Sequence, residues 1–253
     1  MILSRLFLWF LCYSIVGWVY ETIVCSISER KFVSRGFLEG PYCPIYGAGA
    51  LLDLFLLGWI SNPVIVFFAG ILVTGILEYL TSWVLEELFH ARWWDYSQWK
   101  FNINGRVCLA GVFVFGVMSV LLICWVHPFV VTMTDKIPMM WINILAIVFF
   151  ILFLWDAVTT VVHMQSFNTR LRMIQQKVNT LTEEAVSYRD ERKEAVKQKL
   201  ASIREMGLRE LVHDLVMKLP HHDRRMLRSF PKFRSTRYEE VVEKIKETLH
   251  RDQ

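Results

Sequence analysis

The segment VIVFFAGILVTGILEYLTSWVLEEL (64–88) decides the fold. It is apolar over most of its length and exceeds the roughly 20 helical residues needed to cross a hydrocarbon core about 30 Å thick. Four further stretches have the same character: Ile2–Ile27, Cys43–Ile60, Val107–Val126 and Pro138–His163. Only Ser61-Asn62-Pro63 separates the second from the third, which predicts a tight helical hairpin. The expected fold class is therefore all-α, a polytopic membrane protein with five transmembrane helices. The first stretch has little positive charge before it and no small-residue cleavage site, so it reads as a retained span and not a signal peptide.

Charge divides the chain at the end of the fifth stretch. Residues 1–163 carry 8 lysines and arginines against 10 acids, and residues 164–253 carry 20 against 14. The expected organisation is a transmembrane helical domain over 1–163 and a cytoplasmic helical tail over 164–253. Short-loop charge sets the orientation. Arg30, Lys31 and Arg35 follow the first span, and Arg92, Lys100 and Arg106 follow the third. The loops after the second and fourth hold no charge and the pair Asp135/Lys136, respectively. The two basic loops and the tail belong in the cytoplasm, with the N-terminus outside, so the expected localisation is a multi-pass cell-membrane protein.

Carboxylates within the spans are the next signal, because a charge at the bilayer centre costs about 2.5–3.5 kcal/mol on insertion scales. Glu21, Asp53, Glu78, Glu86, Glu87 and Asp156 all lie within or at the ends of spans. Glu78, Ser82 and Glu86 share one face of the third helix, and Ser14, Gly17, Glu21 and Cys25 share one face of the first. Stripes of this kind permit close helix approach and interhelical hydrogen bonds. The plainer account pairs the carboxylates with Arg35, Arg92 and Arg106 to hold the bundle; the other makes them a ligand or ion path. Asp53 is the most isolated of them, near mid-span with no evident cation.

Two loops extend this reading. HARWWDYSQWKFNINGR (90–106) falls at the cytoplasmic interface, where Trp93, Trp94, Tyr96 and Trp99 suit an aromatic belt. That belt does not explain Asp95, Asn102, Asn104 and Arg106. The polar groups of the loop are expected to fold back on the ends of the first and third spans. SRGFLEGPYCPIYGAGA (34–50) concentrates glycine and proline. Irregular backbone at membrane depth is tolerated only where protein covers it or it lines a cavity, and broken segments often build transporter sites.

Several chemistries find no support. There is no GxxxxGK[ST], so no Walker-type ATP site, and neither GxSxG nor HExxH occurs. No nucleophile–base pair can be picked out, so no enzyme activity, cofactor or metal is expected. Cys12, Cys25, Cys43, Cys108 and Cys124 have no zinc spacing and read as small buried apolar residues. His221-His222 reads as a solvated pair. In the tail, Phe167, Leu171, Ile174, Val178, Leu181, Ala185 and Tyr188 alternate by four and three, predicting a coiled coil over about 164–206. A small helical segment follows over 207–253, with Leu208, Leu211, Leu215 and Leu219 before Pro220. A capping box, Thr236 with Glu239, precedes Val241, Val242, Ile245 and Leu249. Arg224, Arg225, Arg228, Lys232, Arg234 and Arg237 suit anionic headgroups, and no nucleic-acid motif is present.

GWVYE (17–21), RGFLEGPYCPIYGAGA (35–50), EYLTSWVLEELFHARWWDYS (78–97) and NINGRV (102–107) together resemble the type IV ABC-transporter permease family, also called CmpB-like. The resemblance covers about residues 5–125 and implies a bacterial membrane component of transport, with a separate ATPase subunit because this chain lacks the site. The expected function is a permease-like subunit with a cytoplasm-facing polar site of Glu21, Arg35, Glu78, Glu86, Arg92, Asp95, Tyr96, Asn102 and Arg106. In that site the glutamates would hold a cation and the arginines would orient them or contact a headgroup. Its partners would be the lipid bilayer, the ATPase and, through the tail, a second copy of the chain. The competing expectation is a membrane scaffold or sensor that recruits a partner through its coiled-coil tail. An intramembrane lipid enzyme ranks behind both.

Overall fold

A computed structural model of the chain describes residues 2–187 and 219–251. These are mostly helical and fall into two compact units, Met1–Leu88 with Trp93–Val161 and Phe89–Arg92 with Val162–Gln253.

The first unit begins with α1 (Ile2–Glu29), α2 (Pro44–Leu57) and α3 (Pro63–Phe89). Asn62 starts α3: its Oδ1 accepts from Val64 N at 2.9 Å and its carbonyl accepts from Val66 N, with Pro63 in the first helical position. Strands β2 (Asn102–Ile103) and β3 (Val107–Cys108) precede α4 (Leu109–Leu121), and a π turn at Leu122–Val126 joins α4 to α5 (His127–Asp135). Pro128 lacks an N–H, and the extra residue of a π turn accommodates that break without ending the helix. α6 (Met139–Ser187) closes the unit with its residues up to Val161.

Four helical stretches are long and apolar enough to cross a membrane: Ile2–Glu29, Pro63–Phe89, Leu109–Asp135 and Met139–Lys177. Large side chains such as Phe55, Phe68 and Trp155 stand exposed on the helices, as lipid-facing residues do. The fourth expected span continues beyond Val126 to Asp135, whose carboxylate receives Arg5 at 2.7 Å. The second expected span forms only the 14-residue α2. Pro44 starts that helix, and at 1.5 Å per residue it reaches about 21 Å, less than the hydrocarbon core.

The preceding segment supplies the missing length in another form. Val33 N donates to Ser26 Oγ at 2.9 Å, Arg35 N to Thr22 Oγ1 at 3.3 Å, and Cys43 N to the Ser14 carbonyl at 2.9 Å. The chain thus runs back along α1 without helical structure before α2 begins. Small residues let α2 lie close against α1. A Cβ on Gly47 would strike the Ser14 hydroxyl and the Phe10 carbonyl. Backbone cannot yield as a side chain does, so Gly47→Val is expected to cost about 2–3 kcal/mol in overpacking. Thermal unfolding of the detergent-solubilised protein measures this, with Gly111→Ala, which has ordinary contact distance to Cys108 Sγ, as the control.

The second unit has its own core. In α6, Met164, Phe167, Leu171 and Ile174 are at most 5% exposed, and Phe167 meets the Phe233 ring at 6.2 Å. From α7 (His221–Ser229) and α8 (Glu239–Arg251) come Met226, Leu227, Val241, Val242, Ile245 and Leu249, all buried. Strand β1 (Ala91–Arg92) pairs antiparallel with β4 (Arg234–Ser235). Asp223, fully buried, receives both Nε and an Nη of Arg170 at 2.7 and 2.9 Å. The Lys246 ammonium donates to the Pro231 and Phe233 carbonyls at 2.6 and 2.5 Å.

Three tail expectations change. The first seam residues, Phe167, Leu171 and Ile174, are buried within this chain and need no second helix to cover them. The side chains of Val178, Leu181 and Ala185, with Tyr188 and the segment from 188 to 218, lie outside the described residues. His221-His222 is not a solvated pair: His222 is half-buried and packs on His163, ring centres 4.5 Å apart. Thr236 turns its hydroxyl to the His90 carbonyl, and Ser235 Oγ accepts from Tyr238 N at the head of α8.

Candidate functional site

The in-span carboxylates of the first unit have distinct partners. Glu21 accepts from Tyr46 OH at 2.7 Å and from Arg35 Nε at 3.2 Å, which ties α1 to both α2 and the segment before it. Glu86 accepts from Arg106 at 2.6 Å, with both side chains less than one-fifth exposed. Glu78, 5% exposed, bonds Tyr96 and leaves its Oε2 without a donor. Burial pushes the Tyr96 phenol well above its ordinary pKa, reinforced by the Glu78 and Glu21 carboxylates that it faces.

Asp156 is held by backbone and hydroxyl donors. Its oxygens accept from Glu39 N at 3.0 Å, Gly40 N at 2.8 Å, Thr160 Oγ1 at 3.2 Å and the Tyr42 hydroxyl. The carboxylate therefore satisfies the backbone of the non-helical segment beside α1, donors that lipid could not satisfy.

The loop after α3 is built around a hairpin. Arg106 N closes a turn on the Ile103 carbonyl at 3.0 Å, with Asn104 and Gly105 at φ 53° and 69°. An Asn-Gly pair suits a turn that needs both central residues left-handed, and a Cβ on Gly105 would press on Asp95 Oδ1. That dipeptide was the available signal for the hairpin. Asp95, buried, accepts from Ser97 N at 2.9 Å. Asn102 donates to the Trp99 carbonyl and accepts from Gly105 N, both at 2.8 Å. Trp94 Nε1 holds the Arg106 carbonyl at 3.0 Å, and the Arg106 guanidinium lies 5.4 Å from the Tyr79 ring centre. The aromatic belt applies to Trp99, which is exposed, but not to Trp93, which is 2% exposed and packs on Phe37.

The structure thus brings Glu21 to Arg35, Glu78 to Tyr96, and Glu86 to Arg106, and has Asp95 and Asn102 brace the hairpin. Arg92 belongs to the second unit, opposite Arg234 in the β1–β4 pair. Removing one member of a charge-assisted pair costs about 1–3 kcal/mol. Arg106→Gln is expected to fall in that range by thermal unfolding, and Glu86→Gln on top of it should add little. Full additivity of the two would show that the pair is not coupled.

A cavity of about 290 Å³ lies among α1, α2, α3, α4 and the π turn. Tyr13, Tyr20, Tyr46 and Phe115 line it, together with Asp53 and Glu78. Asp53, 2% exposed, accepts from Ser119 Oγ at 2.6 Å through Oδ2. Ser119 also lies 2.9 Å from the Phe115 carbonyl, but one hydroxyl proton serves one of these acceptors at a time.

Long apolar helices with buried carboxylates, a non-helical segment covered by protein and an internal cavity define a helical membrane protein. Residues 8–161 match the family described as "Putative ABC-transporter type IV". The match spans more than half of the chain, which belongs to that family. No curated protein and no solved structure matches it significantly.

Proposed function

We propose that the chain is the permease-like subunit of a bacterial cell-membrane ABC transporter, with a polar site facing the cytoplasm on α1, α3 and the loops that follow them. Family membership supports the transport class, and the conjunction of Glu21–Arg35 with Glu78–Tyr96 beside an internal cavity carries the site. In this reading the second crossing is discontinuous. The segment from Val33 to Cys43 follows α1 from Ser26 to Ser14, about 18 Å of helix rise, and α2 adds about 21 Å. Together these exceed the hydrocarbon core, giving five crossings, an external N-terminus and a cytoplasmic tail.

Within the site, Glu21, Glu78 and Glu86 attract a cation or cationic group. Arg35 and Arg106 fix two of those carboxylates, and Tyr96 positions the third. Asp95 and Asn102 hold the hairpin that presents Arg106. A separate ATPase supplies the energy. The scaffold reading keeps one supporting observation, the independent core of the second unit, whose later seam residues would serve a partner or a second copy.

Affinity purification of the full-length chain from membranes of its host tests this. Co-purification of a nucleotide-binding subunit whose ATP hydrolysis depends on the chain is the expected result. A chain that crosslinks to no ATPase and leaves every candidate ATPase unaffected would refute the permease reading.

A further inference from the structure

The cavity holds two carboxylate oxygens that the protein leaves without donors, Asp53 Oδ1 and Glu78 Oε2. Both side chains are at least nine-tenths buried. Ionised, such groups need a counter-charge, because an uncompensated buried charge costs more than any single neutral donor returns. None of the described residues lining the cavity is a lysine or arginine, and Ser119 brings Asp53 only a neutral hydroxyl. No described residue that lines the cavity supplies that counter-charge.

The rest of the lining indicates what carries it. A hard cation such as calcium or magnesium wants six or more oxygens, whereas this wall is mostly hydrocarbon and aromatic ring. Tyr13, Tyr20, Tyr46 and Phe115 offer ring faces to an organic cation. The Tyr46 hydroxyl already gives its proton to Glu21, so it has none to offer Asp53 or Glu78. A volume of about 290 Å³ sits near the lower limit of roughly 300 Å³ for small-molecule pockets, which suits a compact ligand and not a whole lipid.

We propose that this cavity is a binding site for a small organic ammonium ion, with Asp53 and Glu78 as its counter-charges and the aromatic wall around its apolar part. This deepens the permease reading by naming the ligand class, and it assigns a role to Asp53 that the cytoplasmic cluster does not use.

The test is equilibrium binding to the purified full-length protein in nanodiscs, with hexyltrimethylammonium as the probe and hexanoate and sodium as comparisons. Saturable binding of the ammonium ion, absent for hexanoate and undisturbed by equimolar sodium, is expected. Asp53→Asn and Glu78→Gln should each weaken it about tenfold or more, the scale of one lost charge-assisted contact. The exposed Glu87→Gln should bind as wild type. Should Asp53→Asn not fold, Asp53→Glu, Glu78→Gln and thermal protection of the wild type by the probe decide the matter. No saturable binding by folded wild type, equal binding of hexanoate, or full affinity in both neutralised variants would overturn the proposal. Failure to find an ATPase would sink the permease reading and leave this result standing.

Discussion

Asp156→Ala is expected to detach the segment before α2 and to expose the Cys43 thiol. Four donors converge on this carboxylate, two of them backbone N–H groups of Glu39 and Gly40. Hydrogen bonds to a charged acceptor are worth about 1.5–3 kcal/mol each, and stranded buried donors add their own desolvation cost. The contributions are not additive, so a loss of about 3–5 kcal/mol is the reasonable scale, the same as for breaking a buried pair. For a chain of this size that lowers the unfolding temperature by on the order of 10 °C. Asp156→Asn should recover only part of it, because its amide nitrogen would face donors. Cys43 is now buried beside the Ser14 carbonyl, and its rate of maleimide labelling reports the segment directly. Wild-type stability together with a protected Cys43 would mean that the segment is held by something else.

Arg170→Met should unfold the second unit while leaving the first intact. Asp223 is fully buried and receives the two-pronged guanidinium, with the His222 ring at 3.9 Å. Removing one partner of such a pair strands the other and costs about 3–5 kcal/mol, whereas replacing both by apolar residues is far milder. Arg170→Met with Asp223→Leu is therefore expected to be more stable than Arg170→Met alone. Limited proteolysis of the full chain in detergent reads this out, since cleavage beyond Val161 should accelerate in the single variant. A single variant as resistant as wild type would show that Asp223 is not held by Arg170.

Much of this architecture was legible because hydropathy is written residue by residue. The long apolar stretches emerged as α1, α3, α4–α5 and α6, and the basic loops lie beside their ends. The Glu86–Arg106 contact follows from a polar stripe ending near a loop that cannot leave the interface. Three features were hidden for physical reasons. Cys43–Ile60 is as apolar as a span, but composition does not show that Pro44 and the segment before it shorten the helix to 14 residues. Half of the partners of Asp156 are backbone N–H groups, and backbone donors carry no sequence signature. A heptad seam shows that one face of a helix is covered but not by what; Phe167, Leu171 and Ile174 are covered by their own chain.

A membrane-embedded polar site open to the cytoplasm makes position 78 accessible from that side. With the five native cysteines replaced, Glu78→Cys would be treated with a membrane-impermeant cationic methanethiosulfonate, alongside Asn62→Cys in the α2–α3 hairpin. Position 78 is expected to react in inverted membrane vesicles and not in intact cells, and position 62 to do the reverse. Reaction of position 78 from the outside of intact cells, or from neither face, would contradict it.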